Sequence, residues 1–239
     1  MFYHRKTILT IDFFMVFFLN TSFAYTFEEG LSEYRNGRYD QAYLILLPLA
    51  EQGDAKAQTI IGYIFNENKK TKLAFEWFKK AADQGLAVAM NEIGYMYNNG
   101  EGVTQNYNEA LKWYKLAALQ GYAQSQNNIG VMYAFGNGVI QNYQEANKWF
   151  ELAAEQGDAV AQYKLGLVYE TGVLGAKQNF IKAKKYYEDA ISGGITEAKG
   201  RLSYVNKVLA TSQKKPLEKN KSRLYMDSKV FLTRVESKE

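Results

Sequence analysis

The chain holds 239 residues with a net charge of +4, and 47% of its side chains are hydrophobic, enough for a sizeable core in one or two domains. There is no cysteine, and the one histidine, His4, lies in a segment expected to be removed. The mature chain then excludes a thiol nucleophile, a Ser-His-Asp triad and any Cys/His zinc site, while two prolines in all leave long stretches free to form helix.

The first element is a targeting segment. His4, Arg5 and Lys6 are basic, residues 8–19 are apolar apart from Thr10 and Asp12, and Ser22-Phe23-Ala24 places small residues at the −3 and −1 positions of a cleavage site. This is the layout of a secretory signal over 1–24. The apolar run falls short of the roughly 20 residues that span a bilayer. An uncleaved anchor is the competing reading. Residues 25–54 follow as an incomplete leading unit, with Gly37, Tyr39, Ala42, Leu49 and Ala50.

A repeat then sets in. Ile93-Gly94-Tyr95-Met96-Tyr97 returns as Ile129-Gly130-Val131-Met132-Tyr133 and as Leu165-Gly166-Leu167-Val168-Tyr169, 36 residues apart each time. Trp77, Trp113 and Trp149 keep the same step of 36, as do Gly85, Gly121 and Gly157 and the pairs beginning at Ala81, Ala117 and Ala153. Four units are expected, at 55–85, 86–121, 122–157 and 158–194. The first has lost four residues between its helices, and the last has gained one.

Each unit reads as two helices. Ala87, Ala89, Met90, Ile93, Gly94 and Tyr97 share one helical face. Gly100-Glu101-Gly102 breaks the chain, and Ala110, Trp113, Tyr114 and Ala117 form the next apolar stripe. Asn106 with Glu109, and Asn142 with Glu145, have capping-box spacing, and Asp54 and Asp158 can cap the helices that follow them. Mid-helix Gly94, Gly130 and Gly166 predict a close approach, with Ala117-Ala118 and Ala153-Ala154 as the matching flat surface. Trp77, Trp113, Trp149, Tyr97, Tyr133 and Tyr169 are expected in the core. A lone helix over 195–209 is expected to cap the last unit.

The tail 210–239 turns polar and is expected to be mostly disordered. Eight basic and four acidic residues from 211 on supply the whole net charge, which argues for a basic tail rather than a basic groove and against nucleic acid as partner. Interspersed acidic residues make a solvated tail the favoured reading over a membrane-binding one.

The pattern A-x-A-Q, L-G-x-x-Y, G-x-G-V, A-x-x-W and A-A-x-x-G resembles the Sel1-like repeat, a relative of the tetratricopeptide repeat. Asp54-Ala55-Lys56-Ala57-Gln58 and Asp158-Ala159-Val160-Ala161-Gln162 match its opening. The first unit departs by lacking the G-x-G-V loop, and the fourth has Tyr186 in place of Trp. The resemblance implies an all-α, right-handed superhelical solenoid of antiparallel helix pairs. It also implies protein–protein scaffolding, in bacteria sometimes in envelope processes or host contact.

By analogy with the related family, the first helix of each pair lines the concave side. The candidate contact residues are Tyr63, Asn66, Asn91, Tyr95, Asn98, Asn127, Val131, Tyr163 and Leu167, the tyrosines as anchors and the asparagines as partners for a peptide backbone. The expected function is a non-catalytic adaptor, periplasmic or secreted, that holds a protein or peptide and needs no cofactor or metal. The alternative is a cell-wall hydrolase or binder of the β-lactamase-like or penicillin-binding kind. Ser212-Gln213-Lys214-Lys215 gives one S-x-x-K match, but no S-D-N or K-T-G accompanies it.

Overall fold

The computed structural model describes residues 26–212; the expected signal segment and most of the expected tail lie outside them. Among the described residues the chain is all helix: α1 (Phe27–Arg35), α2 (Tyr39–Glu51), α3 (Ala55–Glu67), α4 (Thr71–Asp83), α5 (Ala87–Asn99), α6 (Tyr107–Leu119), α7 (Ala123–Phe135), α8 (Tyr143–Glu155), α9 (Ala159–Thr171), α10 (Phe180–Ser192) and α11 (Ala198–Ser212). Each helix packs on its neighbours in the chain, and α1 also touches α3. The result is an α-solenoid of stacked antiparallel pairs, α3–α4, α5–α6, α7–α8 and α9–α10, led by α1–α2 and closed by α11. The closing helix begins at Ala198, after a turn, rather than at 195.

Local chemistry explains the regularity. Asp54 and Asp158 accept the amides of Ala57 and Ala161 at 2.8 and 2.6 Å, capping α3 and α9. Asn106, Asn142 and Asn179 cap α6, α8 and α10. The expected capping boxes are only half formed. The backbone amides of Asn106 and Asn142 already donate to the carbonyls of Tyr97 and Tyr133 at 2.8 and 2.9 Å. Glu109 and Glu145 therefore have no amide to reach back to, and they pair with Lys112 and Lys148 instead. A full box occurs at Thr26 and Glu29, at the start of α1.

The mid-helix glycines make room for something other than the Ala-Ala pairs. A Cβ on Gly62, Gly94, Gly130 or Gly166 would lie 2.6, 2.6, 2.7 or 2.4 Å from the ring of Phe78, Tyr114, Phe150 or Tyr187 respectively. The buried aromatic is thus the residue just after each repeat Trp, or after Tyr186 in the last unit. Of the three tryptophans only Trp113 is buried. Trp77 and Trp149 are half-buried and pack against the clusters of the adjoining units. The helix-propensity cost of a glycine, about 1 kcal/mol, is offset by burying a whole ring, worth about 1.5–3 kcal/mol.

Two loops depart from the repeat length, and both hold a non-glycine residue in the left-handed region: Lys69 at φ 57° in the shortened first unit and Leu174 at φ 52° in the lengthened last one. In the regular units the equivalents of Leu174 are Gly102 and Gly138, in the same conformation at φ 71° and 66°. Gln105, Gln141 and Gln178 tie the loops back, donating to the carbonyls of Asn98, Ala134 and Glu170 at 2.8 Å each.

Candidate functional site: a groove along the first helices

The first helices of the units, α3, α5 and α7, stand side by side, and their common face forms a groove of about 660 Å3. Tyr34 of α1 closes one end. Asp158, Val160 and Ile195 approach the other. Seven of the nine candidate residues line it: Tyr63, Asn66, Asn91, Tyr95, Asn98, Asn127 and Val131.

The floor is a polar ladder that crosses units. Tyr63 Oη donates to Glu92 Oε1 at 3.0 Å, and Asn91 Nδ2 reaches the same oxygen at 3.4 Å. Asn91 Oδ1 in turn accepts from Ser125 Oγ at 2.8 Å and Asn128 Nδ2 at 3.1 Å. One unit further, Asn127 Oδ1 accepts from the buried Lys164 ammonium at 3.2 Å. Asn91 and Asn127 are 2% and 3% exposed. Their amide oxygens therefore stitch adjacent units together rather than reaching upward for a peptide backbone, which corrects the role expected of them. A side chain at this depth, unpaired, would cost about 1–3 kcal/mol, so the ladder holds the register of the stack.

Tyr163 and Leu167 need a second correction. They occupy the equivalent face of α9 but are 0% and 1% exposed. Helix α11 lies over them, with Leu202, Val205 and Leu209 in the same apolar cluster. A buried latch fixes that helix. Glu170, fully buried, accepts from Tyr187 Oη at 2.5 Å and from Arg201 Nη1 at 3.1 Å. Burial pushes the Glu170 carboxyl above the usual carboxylate range, against the opposing pull of Tyr187 and Arg201. The equivalent face of the last unit is already covered by the chain itself.

Charge in the groove is one-sided. Glu67, Glu92 and Glu101 line its first half, and among the described residues no lysine or arginine lines it; the Lys164 ammonium of the ladder lies buried beneath the far half, on Asn127. Burial raises the Glu92 carboxyl, and the Glu101 charge adds to the effect. Hydrogen bonds from Tyr63 and Asn91 oppose it. Tyr34 is pushed up to about 12 by burial first and then by the charge of Glu67 and others. Tyr34 also stacks on Tyr63, ring centroids 6.3 Å apart. Sequence reasoning missed Tyr34 and the three carboxylates. The available signal for Glu92 was its repeat equivalence to Asn128 and Lys164, a position whose charge changes from unit to unit.

Among the described residues no group of three or more His, Cys, Asp or Glu side chains could hold a metal ion. No described helix is long and apolar enough to cross a membrane. Ser212 ends α11 with its hydroxyl donating to the Leu209 carbonyl at 2.9 Å.

The Sel1 repeat model matches at residues 55–86, 87–122, 123–158 and 159–195, more than half of the chain. The chain belongs to the Sel1 repeat family. Its structure is similar to that of a Sel1 repeat protein from Oxalobacter formigenes, with 32% identity and a TM-score of 0.69 over 88% of this chain and 84% of that one. It is also similar to c5321, a protective antigen of uropathogenic Escherichia coli with an SLR fold, at 29% identity and a TM-score of 0.65. That alignment covers 86% of this chain but 45% of c5321. PilF of Pseudomonas aeruginosa shares the fold alone, at 18% identity and a TM-score of 0.54 over 86% of this chain and 95% of that one. No curated protein matches the sequence. Sel1 repeats form a scaffold fold generally used for protein interaction.

Proposed function

We propose that this Sel1 repeat chain is an exported, non-catalytic adaptor that holds a protein or peptide segment in the groove formed by α3, α5 and α7. The observation that carries the reading is the groove's contrast with the last unit. The same helix face holds α11 at α9, whereas it stands open over the three preceding units. A solenoid presents such a face to partners. Tyr95 and Asn98 are the contact residues of choice, because they line the groove and are not buried. Export rests on the pattern of residues 1–24, and a periplasmic or secreted location follows from it.

The test is capture of a partner from the native host by wild type, Tyr95→Ala and Asn98→Ala, with the captured protein identified and its affinity remeasured with purified material. A contact tyrosine lost from a groove weakens binding by roughly tenfold or more. Equal affinity for all three proteins removes the groove from the function. Mass measurement of the mature chain from the host decides the export claim, since cleavage after Ala24 leaves a defined new N-terminus.

A further inference from the structure

Helix α11 shows what the concave face accepts. It lays Leu202, Val205 and Leu209 on Tyr163 and Leu167 of α9, and it sends Arg201 to the buried Glu170 beside Tyr187. Three ingredients recur there: apolar side chains, a tyrosine hydroxyl and a carboxylate that meets a guanidinium. The first half of the groove holds the same three without an occupant helix. Tyr34 and Tyr63 form a stacked wall. The Tyr63 hydroxyl meets Glu92. Glu67 and Glu101 flank them, and the half-buried Tyr95 and Val131 supply apolar surface. No described basic side chain lines the groove to neutralise those carboxylates.

We propose that the first half of the groove takes a cationic amphipathic helix from a protein partner, its arginine or lysine side chains directed at Glu67, Glu92 and Glu101 and its apolar face on the tyrosine wall. This proposal rests on the reading of the groove as the docking face and adds the chemistry of the occupant. A guanidinium suits the site because its fork matches a carboxylate while its plane stacks on aromatic rings. An anionic helix is excluded by like charge, which costs specificity-setting energy at such faces.

The experiment uses fluorescence anisotropy with three labelled peptides of one amphipathic helical design, carrying Arg, Gln or Glu at the same polar positions. The full chain is compared with a groove variant, Glu67→Gln, Glu92→Gln and Glu101→Gln together. A control variant changes Glu51→Gln, Glu76→Gln and Glu155→Gln, three exposed carboxylates on second helices. The expected result is that the Arg peptide binds at least roughly tenfold more tightly than the Glu peptide, that the groove variant loses this preference, and that the control keeps it. Equal loss in both variants, or equal binding of the three peptides, overturns the proposal. Equal binding that Tyr95→Ala still abolishes leaves the docking face standing and removes only its cationic preference. Arg-peptide binding that emerges only on deletion of 213–239 supports the chemistry and names the basic tail as a competing occupant. A chain that binds none of the peptides and self-associates through Tyr95 assigns the face to a second copy and overturns the proposal.

Discussion

Replacing Gly166 by alanine tests the packing that sets the repeat. The new methyl would lie 2.4 and 2.5 Å from ring carbons of Tyr187, so the ring must move. It has little freedom to do so. Tyr187 is fully buried, its hydroxyl is bound to Glu170 at 2.5 Å, and its ring meets that of Tyr163 at a centroid distance of 5.8 Å. Overpacking of this kind costs about 1–3 kcal/mol, and a weakened hydrogen bond to a buried carboxylate costs about 1.5–3 kcal/mol more. Against this, alanine in mid-helix gains about 1 kcal/mol over glycine. The expected net loss is about 1.5–5 kcal/mol. Gly200→Ala is the matched control, because nothing lies within 4 Å of its new methyl; it is expected to gain up to about 1 kcal/mol. Urea unfolding followed by circular dichroism, together with hydrogen exchange of α9–α11, reads both. A Gly166→Ala protein as stable as Gly200→Ala refutes the reasoning. So does a Gly166→Ala, Tyr187→Leu double variant whose loss equals the sum of the singles, since the clash requires the two to couple.

Three further outcomes follow from the same contacts. Arg201→Met strips Glu170 of its cation and is expected to cost about 3 kcal/mol, the lower end of the range for a broken buried pair, since the arginine side chain retains 20% exposure; faster exchange across α11 reads it, and added Glu170→Gln restores part of the loss. Asp158→Ala removes the cap on Ala161 and is expected to cost about 1 kcal/mol, read as a lower urea midpoint. Glu92→Gln tests the raised carboxyl. A carboxyl raised on folding favours the native state below its unfolded value of 4.5 and loses that contribution as pH rises through the folded value. The stability difference between Glu92→Gln and wild type is therefore expected to shift in favour of the variant as pH climbs above 4.5, and a pH-independent difference counts against a raised Glu92.

The fold was legible because its determinants are local and repeated. Glycine, Ala-Ala and Trp positions at a step of 36 identify the helix pair without any tertiary knowledge. What lay hidden was pairing across units. Gly94 and Tyr114 are 20 residues apart, and no periodicity says that the ring after Trp113, rather than the alanines, fills the glycine notch. Asn91 and Asn127 look alike to sequence reasoning as free amides on an open face. Only the stack reveals that Ser125, Asn128 and Lys164 reach them from the next unit. Tyr163 and Leu167 were misplaced for a further reason: their cover, α11, sits outside the repeat pattern and has no equivalent in the preceding units.

That cover also separates the two halves of the molecule. Helices that are not consecutive meet through side chains of adjacent units, Tyr63 on Glu92, Asn91 on Ser125 and Asn128, Asn127 on Lys164 and Arg201 on Glu170, so a change at one end reaches the other only through each intervening unit. The Arg201–Glu170–Tyr187 latch can then loosen without disturbing Tyr63, Glu92 and Asn91, and the groove carboxylates can be neutralised without releasing α11. An exposed end face would leave Tyr163 and Leu167 to attract other chains; α11 removes that liability by filling the last concave turn from within. The polarity of the occupied and open surfaces differs accordingly. Where α11 binds, asparagine of the earlier units is replaced by Tyr163 and the carboxylate is fully buried. Where the groove is open, Asn91 and Asn127 are buried but paired across units, and Glu92 is half-buried. An apolar floor suits a permanent, tethered helix. A polar floor with carboxylates at the rim suits a helix that arrives from outside and leaves again.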